Sequence, residues 1–190
     1  MKQRIEEAKK ILLDNRKNGY TLPTNNKLYP AQWNWDSAFI ALGYSYFNLN
    51  YALEEMETLL AGQWDDGMVP HILFHDNDTT YFPNHTTWKC GKNIPSSGIT
   101  QPPVIASILK IILGNQQINE GQNNRVVQII KKIKKYHDWF IKFRDPNKTG
   151  LISILHPWES GYDNSPIWDV PMSNINAVSY THLTLPTNGE

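Results

Sequence analysis

Two kinds of helical segment alternate along this chain, and that alternation constrains its fold more than any other feature. SAFIALGYSYFN (37–48) and VIASILKIILGN (104–115) carry apolar residues nearly all round. Residues 2–16, YALEEMETLLAGQ (51–63) and residues 123–143 carry them on one stripe, with charges between. A helix that is apolar on every side must be covered on every side, whereas a striped one covers a neighbour and faces water. Paired in order, such segments build a barrel of helical hairpins with buried inner helices and half-solvated outer ones. Long connections then gather at one mouth, where a site can form. The expected class is all-α. Five helices cannot close such a barrel, so the chain reads as a truncated part of one. A complete half-size bundle is the alternative, and it would leave the all-apolar helices uncovered.

Local signals set the expected boundaries. Asp36 suits the N-cap of the second helix and Asn50 that of the third. Pro102 and Pro103 open the fourth, since proline is tolerated in a first turn. Lys131, Lys132, Lys134 and Lys135 read as the solvated face of the fifth. Residues 20–32 and 63–100 show no sustained period and are broken by proline and glycine. A loop as long as the second is usually functional.

Composition then removes whole classes of function. Lys+Arg and Asp+Glu are both 18, a formal net charge of zero. Nucleic-acid binding needs a basic surplus to neutralise phosphates. A membrane-surface protein needs one too. No apolar run reaches the length of a membrane span, and MKQRIEEAKKILLDNRK has no apolar signal core. The expected location is cytoplasmic. Cys90 is the only cysteine, which removes disulfides and multi-thiolate metal sites. No metal or organic cofactor is expected. Seven Trp and nine Tyr, several beside Asp, Gln and His, suit a small polar ligand with apolar faces, such as a sugar.

Four motifs carry the chemistry. HPWESGYDNSPIWD (156–169) places three carboxylates among aromatic residues in a proline-broken segment. Glycosidic bonds are broken by two carboxyl groups, one protonating the leaving oxygen. An Asp desolvated between aromatics can be that acid. The same residues also suit a capped loop whose Asp and Asn satisfy backbone N–H groups. YPAQWNWDSAFIALG (29–43) sets Trp33 and Trp35 beside Asp36, as stacking indoles with a hydroxyl acceptor or as packing and a cap. DDGMVPHI (65–72) puts His71 after a turn, in a pocket or in a core. SSGITQPPV (96–104) brings Gln101 before a helix, where its amide can orient a carboxylate or hydroxyl.

WNWDSAFIALG, GMVPHI, SGITQPPV and ESGYDNSPIWD occur in the order found in glycoside hydrolase family 63, and the chain resembles its mannosylglycerate hydrolase-like branch. ESGYDNSP is also similar to the acid-bearing segment of family 37 trehalases. The resemblance spans residues 1–177 and implies the N-terminal half of an (α/α)6 barrel that hydrolyses an α-glycoside with inversion. By it, Asp163 matches the general acid. Trp33, Trp35 and Asp36 match the subsite for the released sugar, and His71 and Gln101 match pocket residues, Gln101 on the aglycone side. The general base is a Glu from the later half, and no position here matches it. Mannosylglycerate or glucosylglycerate is the expected substrate. Trehalose, a glucose-capped oligosaccharide, or a sugar-binding barrel without catalysis are the alternatives. The oligomeric state is left open.

Residues 178–187, VSYTHLTLPT, resemble the in-frame translation of a common sequencing-library adaptor. Residues 178–190 are therefore expected to be a non-native tail, and the chain alone to be inactive and aggregation-prone.

Overall fold

The computed structural model describes residues 2–24 and 28–173, so the segment 178–190 read as a tail lies outside the described residues. The long helices are α1 (Lys2–Asp14), α2 (Asn34–Ser45), α3 (Leu49–Ala61), α5 (Ile105–Asn115) and α6 (Glu120–Arg144). Between α3 and α5 comes the short α4 (His85–Trp88), and α7 (Asp169–Ser173) ends the described chain. Two short strands, β1 (Gln32–Trp33) and β2 (Ile72–Leu73), pair antiparallel. No helix among the described residues is long and apolar enough to cross a membrane.

The helices form two layers. One is α2 with α5; the other is α1, α3 and α6, with α3 packed on α2 and α6, and α6 on α5. The core explains the arrangement. Ala38 and Ala41 are small enough to let neighbours approach α2 closely. Met56 and Leu60 of α3, Ile105 and Ile112 of α5, and Ile129 of α6 fill the space around them. Each large apolar side chain so buried contributes about 1.5–3 kcal/mol. The striped α3 and α6 bury their stripes as their periodicity predicts, and the lysines of α6 lie outward. Helix α1 does not, for none of its residues is buried and Ile5 and Ile11 of its stripe are exposed. Cover on all sides is only partly met. Phe39 of α2 is 51% exposed and Ile111 of α5 is 43% exposed, on faces turned away from the described partners. An inner barrel helix needs two flanking pairs, and each of these has one.

Several boundaries differ from expectation. Asn48, not Asn50, caps α3 by accepting from Tyr51 N–H at 3.2 Å, and Asn50 instead accepts from Gln122 and Arg125 of α6. Pro102 and Pro103 precede α5 rather than lying within it. Helix α6 begins earlier, at Glu120, behind a capping box of Asn119 and Gln122. The 63–100 connection holds β2 and α4, elements too short to leave a period in sequence.

Candidate active site

The site grows from the N-terminus of α2. Three stretches of irregular chain are stitched together beside it. Asn34 N–H donates to His71 O at 3.0 Å, His71 N–H to Ile99 O at 2.7 Å, and Ser97 N–H to Ile72 O at 3.0 Å. Beneath them, Tyr136 of α6 is fully buried and serves as a polar hub. Its hydroxyl donates to Gln101 O at 2.8 Å, shares a hydrogen bond with Thr100 Oγ1, and accepts from Asn34 Nδ2 at 3.2 Å. A buried network of this kind positions its members because each lost partner leaves a desolvated polar group behind.

Asp36 does not cap α2. The N-cap position belongs to Trp33, which offers no side-chain acceptor. The acceptor comes from elsewhere: Gln101 Oε1 takes Trp35 N–H at 3.0 Å. With the end satisfied from outside, the helix starts at Asn34 and Asp36 is carried into its first turn. There the carboxyl is pushed up to about 6, chiefly by burial and further by Asp163, while its own backbone N–H holds it down. A carboxylate in a first turn also meets the positive end of the helix dipole.

Asp163 stands on the loop after α6. Its carboxyl is likewise raised by desolvation, although the residue itself is exposed. The loop is two 3-10 turns, Pro157–Glu159 and Pro166–Trp168. His156 Nδ1 accepts from Trp158 N–H at 3.1 Å in the first, and Trp168 Nε1 donates to Tyr162 O at 2.7 Å across the second. Gly161, at φ +73°, lies against the Trp35 indole so closely that a Cβ there would stand 2.6 Å from Trp35 Cη2. That contact seats the loop on the start of α2.

All six residues singled out from sequence therefore converge. Trp33 is buried, with Tyr29 and Tyr81 edge-on against it at ring-centroid distances of 5.1 and 5.2 Å. His71 is edge-on to Trp33 at 6.4 Å and faces Trp158 at 5.8 Å. Burial, and secondarily His156, holds the His71 imidazole down to about 3, so it is neutral at ordinary pH. Its Nδ1 is buried without a hydrogen-bond partner among the described residues. The site also includes residues not singled out. Tyr81 is raised by burial, by Tyr29 and by Asp163, which places it within the field of the loop carboxyl. Tyr29 and Trp158 lie inside the motifs and carried a signal. Tyr81 sits in an aperiodic loop and carried none.

This geometry can hold a small polyhydroxy ligand between an aromatic wall and two desolvated carboxyls. A family model described as the mannosylglycerate hydrolase MGH1-like glycoside hydrolase domain matches residues 29–187. Mannosylglycerate hydrolase MGH2 of Selaginella moellendorffii is 42% identical over 174 residues, 91% of this chain and 36% of that protein. A glucosylglycerate hydrolase of Mycolicibacterium hassiacum is 37% identical over 160 residues, 78% of this chain and 36% of its own length. The crystal structure of a family 63 mannosylglycerate hydrolase from Thermus thermophilus with Tris and D-glycerate superposes with a TM-score of 0.85. It is 39% identical, over 97% of this chain and 43% of that one. Those structures are helical barrels, and this chain spans about two fifths of the proteins it matches.

Proposed function

Because the chain belongs to the mannosylglycerate hydrolase MGH1-like glycoside hydrolase family, we propose that it supplies the proton-donating side of an inverting α-glycosidase. Mannosylglycerate or glucosylglycerate is its substrate class. The observation that carries this reading is the pair Asp36 and Asp163 beside the aromatic wall, both raised by desolvation, with Asp36 lying in the field of Asp163. A general acid must be protonated when the substrate arrives, and desolvation raises the Asp163 carboxyl in that direction.

Asp163 donates its proton to the glycosidic oxygen as the C1–O bond breaks. Positive charge develops on the sugar ring, and a water activated by a Glu of the parent protein attacks from the opposite face. The bond re-forms at C1 with inverted configuration, and the aglycone leaves with the proton from Asp163. Asp36 accepts sugar hydroxyls, and its bonds strengthen as charge develops. Trp33, Trp35 and Tyr81 wall the ring. The neutral, buried His71 backs the pocket wall against Trp33 and Trp158, and Gln101 faces the aglycone while its Oε1 completes α2. A cytoplasmic location accords with this reading. The 190-residue chain alone, with no residue placed as the base, should hydrolyse no α-glycoside.

The test uses the full-length parent. Asp163→Asn keeps the shape and removes the transferable proton, so kcat on the glycoside should fall by about 10²–10⁴. On the matching α-glycosyl fluoride, whose leaving group needs little protonation, the loss should be far smaller. Equal losses on both substrates would move Asp163 to structural duty.

A further inference from the structure

Fifteen residues separate Arg144, the last of α6, from Glu159, and between them runs most of the chain that leads to Asp163. The two form an ion pair at 2.6 Å, with side chains only 6% and 3% exposed. A pair this buried carries a desolvation penalty that can equal its Coulombic gain, so stability alone is a weak reason for it. Its other contacts suggest a different reason. Glu159 Oε1 also accepts from Thr100 N–H at 3.3 Å, and Oε2 accepts from Leu155 N–H at 2.9 Å. Thr100 in turn is bonded to Tyr136 and, through Oγ1, to Val69 O at 2.7 Å. Glu159 is thus fastened at once to the end of α6, to its own loop, and to the hub that holds Asn34 and Gln101.

We infer that Glu159 is a positioning residue for the proton donor, and that its clasp on Arg144 and Thr100 sets where Asp163 stands over the start of α2. The inference rests on the reading of Asp163 as general acid. Glu159 does not touch substrate itself: it is buried beneath the loop, and both of its oxygens already accept hydrogen bonds. Its effect runs along the chain. Two residues after the clasp, Gly161 meets Trp35, and two residues after that comes Asp163. The donor is therefore levered from two near points, one charged and one steric. Arg144 is fixed independently, with its guanidinium 4.9 Å from the Trp139 ring centroid and its carbonyl accepting from Ser153 N–H at 2.8 Å. An anchor that is itself rigid transmits position well.

The test compares two substrates in the full-length protein, mannosylglycerate and α-mannosyl fluoride, for E159Q, R144K and the reference variant D163N. Displacing the acid should hurt only the substrate that needs its proton. E159Q should lower kcat on mannosylglycerate by about ten- to a hundredfold, with at most about a threefold change on the fluoride and in KM. R144K keeps the charge but not the planar guanidinium that lies against Trp139, so it should show a smaller loss with the same split between substrates. A merely structural role would reduce both substrates equally, through the folded fraction. If E159Q fails to fold, R144K is judged by the same split. Equal losses, or none, in the folded variants overturn the inference while a split in D163N leaves the acid reading standing. A D163N protein with no split overturns both.

Discussion

The start of α2 and the loop that bears Asp163 meet at one site but are built on opposite plans. Trp33 to Asp36 are fastened from every direction: by the pairing of β1 with β2, by Gln101 at the helix end, by Tyr136 below, and by Glu55 from behind. Glu55 is fully buried and accepts from Ser37 Oγ at 2.7 Å and Gln32 Nε2 at 2.9 Å. The loop is open to solvent over much of its length, with Leu155, Tyr162 and Ile167 all exposed, and it is anchored chiefly through Glu159 and Gly161. Residues that bind must not move, so they sit on a braced helix end. A proton donor must reload from solvent between turnovers, which favours an exposed carrier with a few strong anchors.

The sharpest way to break this contrast is Asp36→Asn in the full-length protein. On the reading given above it should lose kcat/KM by about tenfold to a thousandfold, roughly 1.4–4 kcal/mol. Stability should not follow. The folded carboxyl sits near 6, above its ordinary 3.8, so ionising it works against the fold as pH rises between those values. Asn removes that penalty, and thermal unfolding at pH 8 should be unchanged or raised. Unchanged kinetics would make Asp36 structural only.

Glu55→Gln probes the bracing. Burial lifts the Glu55 carboxyl from 4.5 to about 7. The folded state then holds a proton that the unfolded state has lost, so its contribution is full below about 4.5 and falls as pH rises to about 7. Roughly 3 kcal/mol is at stake by linkage. Buried His71 and His156 and half-buried His75, held at about 3, 4 and 4 chiefly by desolvation, act in the opposite direction over the acid part of that range. The measurement is therefore the difference between wild type and E55Q in denaturant unfolding from pH 4 to 8. That difference should shift in favour of E55Q as pH rises, and a flat difference would refute it.

The smallest effect falls on the loop. Gly161→Ala sets a methyl group against Trp35 and forces a left-handed backbone, about 1–2 kcal/mol of strain. Because the loop has few anchors, it should yield. The Tm should drop little, while kcat on the glycoside falls several-fold more than kcat on the fluoride. A large loss of Tm with no kinetic split would show the loop to be as braced as α2.

The same contrast explains what is readable in the sequence. Helices α3 and α6 follow from periodicity, and α5 from its nearly continuous apolar character, because their burial is decided by their own side chains. Helix α1 has the period but leaves its stripe unburied. The start of α2 comes earlier than local signals indicate because its cap, Gln101, lies 66 residues away, and a search for a neighbouring Asp or Asn finds Asp36 instead. For α3 the sequence offers Asn48 and Asn50 two apart, and the choice is made by α6, whose Gln122 and Arg125 bind Asn50. The site motifs are legible as clusters of aromatic and acidic residues. Tyr81, and the pairing of Glu159 with Arg144, are not, since both depend on segments that meet only in the folded chain.

The borrowed cap of α2 has a consequence for synthesis. Trp35 leaves the ribosome 66 residues ahead of Gln101, the residue that finishes its helix. At about 5–20 residues per second the interval is about 3–13 s, long compared with helix formation and collapse. Through that time the nascent chain presents the indoles of Trp33 and Trp35 and the apolar flank of α2 with no cap and no α5. This is the period in which a nascent-chain chaperone has most to hold. Slower elongation over the interval between the emergence of Trp35 and that of Gln101 would lengthen the exposure in proportion, whereas slowing after α5 has emerged would act on a helix already closed.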